Sequence, residues 1–238
     1  YFNAYGQYRQ ADRLRERGQM EMASYSRSYA ESLAKSAIND LNLALSEERY
    51  HYIYRLRAMI NRLIAENSIG EKREDYYSRA VEDFYAAVNM NPGDADAVAE
   101  LIRMLERNVT FNRSEIIRYM RILHYFHPQV FDRVIYGQVL DALAMEEIET
   151  AYDRMALVID AVPDDIGYQL TWAQVCVSAG KLEKAREVIT ELTERGWPQE
   201  EEEIYAATAL MTQVKLAVAQ NNHEFALAKL QQAEKYPF

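Results

Sequence analysis

The sequence predicts an all-α fold, namely a right-handed α-solenoid of about six helical hairpins. The first reason is that the five prolines recur at intervals of 36, 35, 35 and 39 residues, a period typical of stacked helix pairs. The second is that only 13 of the 238 residues are Gly or Pro, fewer than a sandwich or barrel with many tight turns requires. The five prolines are Pro92, Pro128, Pro163, Pro198 and Pro237.

The apolar residues upstream of the prolines predict the helices that form the hairpins. Three of them lie four and three positions apart, which places them on the same side of a helix. The first of the three is usually alanine, which lets a neighbouring helix approach closely, and the proline ends the helix because it cannot continue the hydrogen-bond ladder. The copies are Ala37, Leu41 and Ala44, without a closing proline, and then Ala80, Phe84 and Ala87; Ile116, Met120 and Leu123; Ala151, Met155 and Val158; Ala185, Ile189 and Leu192; and Ala226, Leu230 and Ala233.

Other segments predict where helices begin and where turns lie. Residues 26–46 have the apolar spacing of a strongly amphipathic helix. In the turn at residues 91–94, Asp94 is placed to cap the next helix. Two connections are expected to be longer than the others, one at residues 67–75 and one at residues 196–203.

One copy of the repeat shows most of the pattern, with Trp172, Cys176, Gly180, Leu182 and Ala185 in order across two helices and a short turn. This order, the Ala-x3-aromatic/aliphatic-x2-Ala spacing and the closing proline resemble the tetratricopeptide repeat (TPR) family. The resemblance covers residues 49–238, and residues 1–48 are similar to a divergent N-terminal hairpin that acts as a cap. The chain departs from the family where Gln-Val replaces the expected Leu-Gly in two first helices. The resemblance implies stacked hairpins with a concave binding face.

The distribution of charge argues against nucleic acid as the main ligand. The net charge is −10; residues 1–140 carry 19 basic and 19 acidic side chains, whereas residues 141–238 carry 8 and 18. Phosphate contacts need clustered positive charge, which the acidic C-terminal part lacks. The single cysteine excludes an internal disulfide, and no apolar run is long enough to span a membrane. We therefore expect no nucleic-acid ligand and no membrane span in this stretch.

No sequence motif for catalysis or cofactor binding is present, so neither an enzyme nor a cofactor is predicted for this stretch. His124 and His127 have a spacing that could share a metal, but a helix C-terminus explains them better, because histidine favours the helix dipole there. Cys176 is expected to be a buried apolar residue rather than a nucleophile. The four glutamates at 200–203 are expected to start a solvated helix. No metal site is predicted.

An Arg- and Tyr-rich segment at residues 49–57 allows two interpretations. Mixed aromatic and arginine side chains are typical of a surface that binds nucleic acid, carbohydrate or an anionic peptide through stacking and bidentate hydrogen bonds. Alternatively, the tyrosines fill seams between helices while their hydroxyl groups reach water. Under the first interpretation, Tyr52 and Arg55 form a hot spot for a partner. A second set of arginines, between residues 103 and 133, is expected to pair with the acidic C-terminal half, either within one molecule or between molecules.

The predicted function is that of a non-catalytic TPR scaffold that binds a protein or peptide segment in its concave face. The resemblance implies that inward positions of the first helices line this face. Among the inward positions of the last three first helices only Lys215 is a cation, so a clamp for chaperone tails is not expected. The predicted partner-binding residues are Tyr52, Arg55, Tyr136, Leu140, Leu170, Gln174, Met211 and Lys215. Association into a homo-oligomer is compatible with this prediction.

Two cellular contexts are predicted as alternatives. The Tyr-rich entry helix and the degenerate repeats also resemble the C-terminal TPR region of bacterial O-antigen polymerase/ligase-type membrane proteins. That resemblance implies the soluble extracytoplasmic part of a larger membrane protein of cell-surface polysaccharide assembly, and a chain that starts at Tyr1 without a methionine is expected to be a fragment. The alternative is a free-standing TPR adaptor or regulator in the cytoplasm.

Overall fold

Helices are the only regular structure in residues 2–16, 20–107 and 113–236, which are the residues that the computed structural model describes. The chain divides into two compact units, residues 1–112 (unit 1) and residues 113–238 (unit 2). In each unit, successive helices pair into hairpins. The predicted fold class, all-α with TPR-like helical hairpins, is therefore confirmed.

The helices of unit 1 pack in chain order, each against the next. The predicted boundary after residue 48 lies inside this unit, between two helices that are in contact. The helices within its described residues are α1 (Phe2–Glu16), α2 (Met20–Glu47), α3 (His51–Glu66), α4 (Gly70–Met90) and α5 (Ala95–Glu106).

Small side chains allow close packing in the core of unit 1. Ala30 and Ala34 of α2 belong to one apolar cluster with Ile60 and Ile64 of α3. The amphipathic helix predicted at residues 26–46 is confirmed as part of α2. The predicted triplet of α4 is completely buried, with 0% exposure of Ala80, Phe84 and Ala87.

Unit 2 contains three consecutive hairpins, and each hairpin consists of a first helix and a second helix. Within each hairpin α8 packs on α9, α10 on α11, and α12 on α13, while α10 also packs on α9 and α12. Its described helices are α6 (Arg113–Phe126), α7 (Pro128–Phe131), a π-helical segment (Asp132–Tyr136), α8 (Gly137–Ala144), α9 (Ile148–Ala161), α10 (Ile166–Ser178), α11 (Leu182–Arg195), α12 (Glu202–Ala219) and α13 (His223–Ala233).

The prolines lie at helix boundaries, as predicted. Pro92 and Pro163 stand in turns, and Pro198 lies in the loop before α12. Pro128 is the first residue of α7, where its missing N–H costs nothing because that group would have no intrahelical partner. Pro237 lies outside the described residues.

The alanines that were expected at close helix contacts are buried. Ala151 and Ala185 are 0% exposed and Ala226 is 7% exposed. Trp172, the aromatic residue of the best repeat, is 3% exposed and lies against Tyr152, with ring centroids 4.8 Å apart. The predicted triplets of α9 and α11 are therefore buried, whereas Leu230 of the last triplet is 40% exposed.

Three turns of unit 2 end their first helices with the same backbone motif. After α8, α10 and α12, one residue has a positive φ: Glu146 at 61°, Gly180 at 70° and Asn221 at 58°. In each turn the next residue donates its backbone N–H to the carbonyl five residues earlier, at 2.8 to 2.9 Å. This is the Schellman motif, in which glycine is favoured at the positive-φ position. The backbone of the repeat is thus kept in two turns that lack the glycine.

Side-chain caps begin several helices. Asp94 accepts a hydrogen bond from the backbone N–H of Ala97 at 3.2 Å, so the predicted cap of α5 is confirmed. Asp165 caps α10 and Asn222 caps α13 in the same way. Each cap satisfies a backbone donor that has no partner within its helix.

One predicted connection is wrong. A long turn was expected at residues 67–75, but α4 begins at Gly70 and only three residues separate it from α3. The first turns of α4 are exposed, and Asp75 pairs with Arg79 one turn later at 2.9 Å. Charged residues with good helix propensity therefore extend α4 into solvent without apolar contacts. The other long connection is confirmed between α11 and α12, although α12 already begins at Glu202.

Candidate partner-binding surfaces

The start of α3 exposes two stacked tyrosine rings. Tyr50 and Tyr52 are each 46% exposed, with ring centroids 5.6 Å apart and planes inclined by 16°. His51 lies edge-on to Tyr52, with centroids 6.0 Å apart. Aromatic rings supply large contact areas at interfaces, so an exposed pair of this kind suits contact with a partner. Tyr52 is accessible in the way that the partner-surface interpretation requires.

The guanidinium of Arg55 is engaged inside unit 1. Its Nη1 lies 3.2 Å from Asp94 Oδ1 and 2.7 Å from Asp96 Oδ2. His51 Nδ1 lies 3.1 Å from the other carboxylate oxygen of Asp94. These contacts join the start of α3 to the start of α5, where carboxylates also favour the helix dipole. Arg55 therefore links two helices, so its guanidinium is not free to contact a partner in the way that the predicted hot spot requires.

A buried ion pair in unit 1 was missed by the sequence analysis. Asp83 is 5% exposed and accepts hydrogen bonds from Nε and Nη2 of Arg57 at 2.8 and 2.5 Å. These bonds raise the pKa of Arg57, and the side-chain amide of Asn61 also donates to Asp83, at 3.3 Å. Such partners are required because a buried carboxylate is otherwise costly. The sequence feature that could have indicated this ion pair is the position of Asp83 three residues after Ala80, which places a carboxylate on the buried face of α4.

Each first helix of the three hairpins in unit 2 has a partly exposed side, and these sides together are here named the first-helix face. Helical spacing places its members on one side of each helix, and α10 packs directly against α12. A hydrogen bond of 2.7 Å between the hydroxyl groups of Tyr136 and Thr171 joins the π-helical segment to α10. The members are Tyr136, Leu140, Thr171, Gln174, Ser178, Ile204, Thr208, Met211, Lys215 and Val218. None of them is acidic, although unit 2 carries 12 basic and 20 acidic side chains.

Aliphatic side chains of the first-helix face are open to solvent. Leu140 is 46% exposed, Ile204 68% and Val218 51%. Gln174 and Met211 are half-buried, and Lys215 is exposed. Covering aliphatic groups with a partner is favourable by about 25 cal/mol per Å² of apolar surface removed from water. The face can therefore supply binding energy without a strong electrostatic component.

Tyrosine side chains fix the π-helical segment against α10. Tyr168 donates its hydroxyl hydrogen to Asp132, and its ring lies 5.0 Å from that of Tyr136. Burial raises the pKa of both phenols, and the hydrogen bond to Asp132 raises that of Tyr168 further. Both phenols are therefore protonated near neutral pH and serve as hydrogen-bond donors rather than as bases.

Leu170 is a core residue, which corrects its prediction as a partner contact. It is 2% exposed and packs with Ala173, Ile189 and Leu192. The neighbouring Thr171 takes the open side of α10, because one residue turns a helix by about 100°. The exposed side of α10 therefore lies one residue later than predicted at this position.

The arginines between residues 103 and 133 do not pair as a group with the acidic C-terminal half. Arg103 and Arg107 pair with glutamates of unit 1, at 2.8 and 3.0 Å. Arg113 does pair with Asp160, at 2.8 Å, and Arg121 donates to the backbone carbonyl of Asp160 at 2.7 Å. Within one molecule the expectation thus holds for Arg113. Arg121 donates to backbone carbonyls, and Arg103 and Arg107 pair inside unit 1.

His124 and Cys176, the other side chains considered for metal binding or catalysis, pack against neighbouring groups of unit 2. His124 lies edge-on to Phe131, with centroids 5.2 Å apart. Burial raises the pKa of the Cys176 thiol to about 11, so the thiol stays protonated. Across the described parts of the chain, no group of three or more His, Cys, Asp or Glu side chains is arranged to hold a metal ion. No helix in those parts is both long and apolar enough to cross a membrane.

Comparison with known proteins identifies similar folds only. No protein-family model and no curated protein matches the chain. Among solved structures, it is similar to a tetratricopeptide repeat protein from Parabacteroides merdae, at 14% identity and a TM-score of 0.39 over 100% of this chain and 94% of that one. PilF from Pseudomonas aeruginosa is similar at 14% identity and a TM-score of 0.36, over 98% and 91% of the two chains. MamA from Desulfovibrio magneticus has the same identity and TM-score over 75% and 93%.

Proposed function

We propose that the chain is a non-catalytic scaffold and that the first-helix face of unit 2 binds a largely uncharged segment of a partner protein. The observation that carries this proposal is the exposure of the aliphatic side chains Leu140, Ile204 and Val218 on first helices of a unit with a net charge of −8. Exposed apolar groups gathered on one face are typical of interaction sites. Gln174 and Lys215 on the same face supply hydrogen bonds and a single positive charge to the bound segment.

The chemistry of the buried polar groups supports a binding role rather than catalysis. A general base needs a pKa near the working pH, and a nucleophile needs an adjacent base or a lowered pKa. Burial raises the pKa values of Tyr136, Tyr168 and Cys176, whereas a base or a nucleophile at these positions would need a lowered pKa. These side chains instead pack α10 against its neighbours.

Selection from a random peptide library displayed on phage, with the purified chain as bait, tests the proposal. The dissociation constants of the selected peptides are then measured by fluorescence polarisation for the variants Leu140→Asp and Val218→Asp. We expect each variant to weaken binding by about tenfold or more, because a buried unpaired carboxylate opposes an apolar contact. The matched control is Leu227→Asp, which introduces the same charge at an exposed leucine of α13 (60% exposed).

Two results would contradict the proposal. One is that no peptide family is enriched, and the other is that the control variant weakens binding as much as the two variants on the first-helix face. Binding that survives those two variants but is lost with Tyr52→Ala would move the site to the tyrosine pair at the start of α3. The last variant therefore tests the partner surface that the sequence analysis predicted in unit 1.

The two cellular contexts predicted from the sequence are both compatible with a scaffold of this kind. The genomic reading frame upstream of Tyr1 distinguishes them. Several predicted membrane spans there would support the extracytoplasmic part of a polysaccharide-assembly protein. A soluble upstream domain, or a start codon at this position, would support the free-standing adaptor.

A further inference from the structure

A pocket of about 340 Å³ lies at the C-terminal end of unit 2, between the end of α11, the middle of α12 and the residues in and after α13. Its apolar side is formed by Trp197, Ala209 and Leu210, and Ala209 also belongs to the hydrophobic core. Its polar side includes Gln213, Lys229 and Lys235. The volume is in the range of small-molecule sites, which combine apolar walls with a few polar groups.

The charge of this pocket is opposite to that of the surrounding unit. Two of the 12 basic side chains of unit 2 line it, and none of its 20 acidic side chains does. Lys229 Nζ lies 3.4 Å from the amide oxygen of Gln232 and 5.2 Å from the ring centre of Phe225. Neither Lys229 nor Lys235 forms an ion pair with another described residue. A lining with two lysines and no carboxylate favours a bound anion.

One residue that lines the pocket carries a hydrogen-bond acceptor without a partner among the described residues. The side-chain oxygen Oε1 of Gln213 is buried and has no hydrogen-bond partner within the described residues. A buried carbonyl in this state gains free energy when a donor reaches it. Across the pocket, Trp197 packs beside Tyr205, with ring centroids 6.3 Å apart, and offers an aromatic surface.

We propose that this pocket binds a small amphipathic carboxylate that also carries an amide N–H and an aromatic or branched apolar group. This is the chemistry of an acylated amino acid, either free or as the last residue of a peptide chain. The carboxylate pairs with Lys229 and Lys235, the N–H donates to Gln213, and the apolar group packs on Trp197 and Leu210. The site shares no residue with the first-helix face, so it is independent of the proposed function.

Three ligands that differ by one group each test the proposal by NMR titration of the complete, isotopically labelled chain. N-acetyl-L-phenylalanine has all three groups and is expected to bind with a dissociation constant of about 1 mM, a typical value for a ligand of this size. Its C-terminal amide lacks the carboxylate and is expected to bind about tenfold more weakly, because it loses the charge-assisted hydrogen bonds. The third ligand, 3-phenylpropionate, lacks the N–H and is expected to bind about threefold more weakly.

Matched lysine variants locate the site. Lys235→Gln is expected to weaken binding of N-acetyl-L-phenylalanine by about tenfold, whereas Lys181→Gln, at an exposed lysine beside Tyr152, leaves it unchanged. The indole N–H signal of Trp197 is expected to shift with the wild-type titration. Equal binding of the acid and its amide, a Lys235→Gln variant that binds normally, or an unshifted Trp197 signal would each overturn the proposal.

A five-residue peptide that ends in phenylalanine with a free carboxylate identifies the source of the ligand. Binding as tight as that of N-acetyl-L-phenylalanine supports the site as a receptor for a chain terminus. Binding weaker by about tenfold, because the longer chain clashes with the walls of a pocket near the lower size limit, supports a free small carboxylate. A peptide that shifts none of the Trp197, Lys229 or Lys235 signals, together with an acid that also shifts none, overturns both forms.

Discussion

At the scale of single residues, small side chains decide how closely the helices of a hairpin approach. Ala185 is the clearest case, because it lies in the middle of the best repeat and is 0% exposed. Close-packed protein interiors have no spare volume for a longer side chain, so an enlarged residue forces neighbouring groups away from their preferred rotamers.

The variant Ala185→Leu is therefore expected to lower the free energy of unfolding by about 1–3 kcal/mol. Thr190→Leu serves as its control, because it introduces the same side chain at an exposed position of the same helix. Urea titration followed by circular dichroism measures both variants. Equal stability of the two variants would show that Ala185 is not a close-contact position.

The residues that the sequence predicted correctly are those whose role depends on local spacing. The positions of Ala185 and Pro163 follow from a period that can be read along the chain. Arg55 was predicted as part of a partner-binding hot spot because its partner Asp94 lies 39 residues away and meets it only after α3 and α5 pack. Leu170 was placed on the open side of α10 by an error of one residue, which is enough to turn a side chain from solvent to core.

At the scale of elements, the Schellman turns show that backbone conformation can persist where the preferred residue is absent. Glu146 adopts the left-handed conformation that glycine adopts at Gly180 in the next hairpin. A residue with a Cβ pays for this conformation through a clash with its own backbone, of about 1–2 kcal/mol. The sequence does not reveal this turn, because the motif depends on a positive φ and Glu146 is not a residue type that signals one.

Replacing Glu146 with glycine is therefore expected to raise the free energy of unfolding by about 0.5–1 kcal/mol, despite the greater backbone entropy of glycine in the unfolded chain. The reciprocal variant Gly180→Ala is expected to lower it by a similar amount. An added Cβ at Gly180 meets no atom within 4 Å, so any loss there comes from the backbone conformation itself. Chemical denaturation of both variants measures the pair. The same sign of change in both would contradict the explanation.

The start of α4 shows what periodicity cannot predict about an element. Residues 71–75 have no apolar face, so their sequence is compatible with either a loop or a solvated helix. The structure shows a helix because the apolar part of α4 is anchored on α3, and helix propagation from an existing nucleus is easier than nucleation. Ion pairs such as that between Asp75 and Arg79 add a small further contribution.

At the scale of the whole molecule, the acidity is concentrated in one unit. Unit 1 carries 15 basic and 17 acidic side chains, and unit 2 carries 12 and 20. The net charge keeps the chain soluble, and it also leaves the lysine-lined pocket of unit 2 as a local exception. Buried phenols are found in both units, at Tyr8 and Tyr77 in unit 1 and at Tyr136 and Tyr168 in unit 2.

These buried phenols predict that both units lose stability at alkaline pH. Burial raises the pKa of Tyr8 from 10.0 to about 12 and that of the Cys176 thiol from 9.0 to about 11. At a pH between the two values for each group, the unfolded chain has lost the proton while the folded chain still holds it. Stability is therefore complete below about pH 9 and decreases as the pH rises to about 12, because deprotonation favours the unfolded state.

Thermal melts of the wild type and of Tyr168→Phe, recorded at intervals between pH 8 and pH 12, measure this effect. Phenylalanine removes one titrating phenol together with its hydrogen bond to Asp132, so the variant is expected to be less stable near neutral pH. Above pH 10, however, its melting temperature is expected to fall less steeply than that of the wild type, because one fewer group releases a proton on unfolding. Parallel curves for the two proteins across this range would show that the Tyr168 phenol does not couple folding to pH, whatever the absolute stability of the variant.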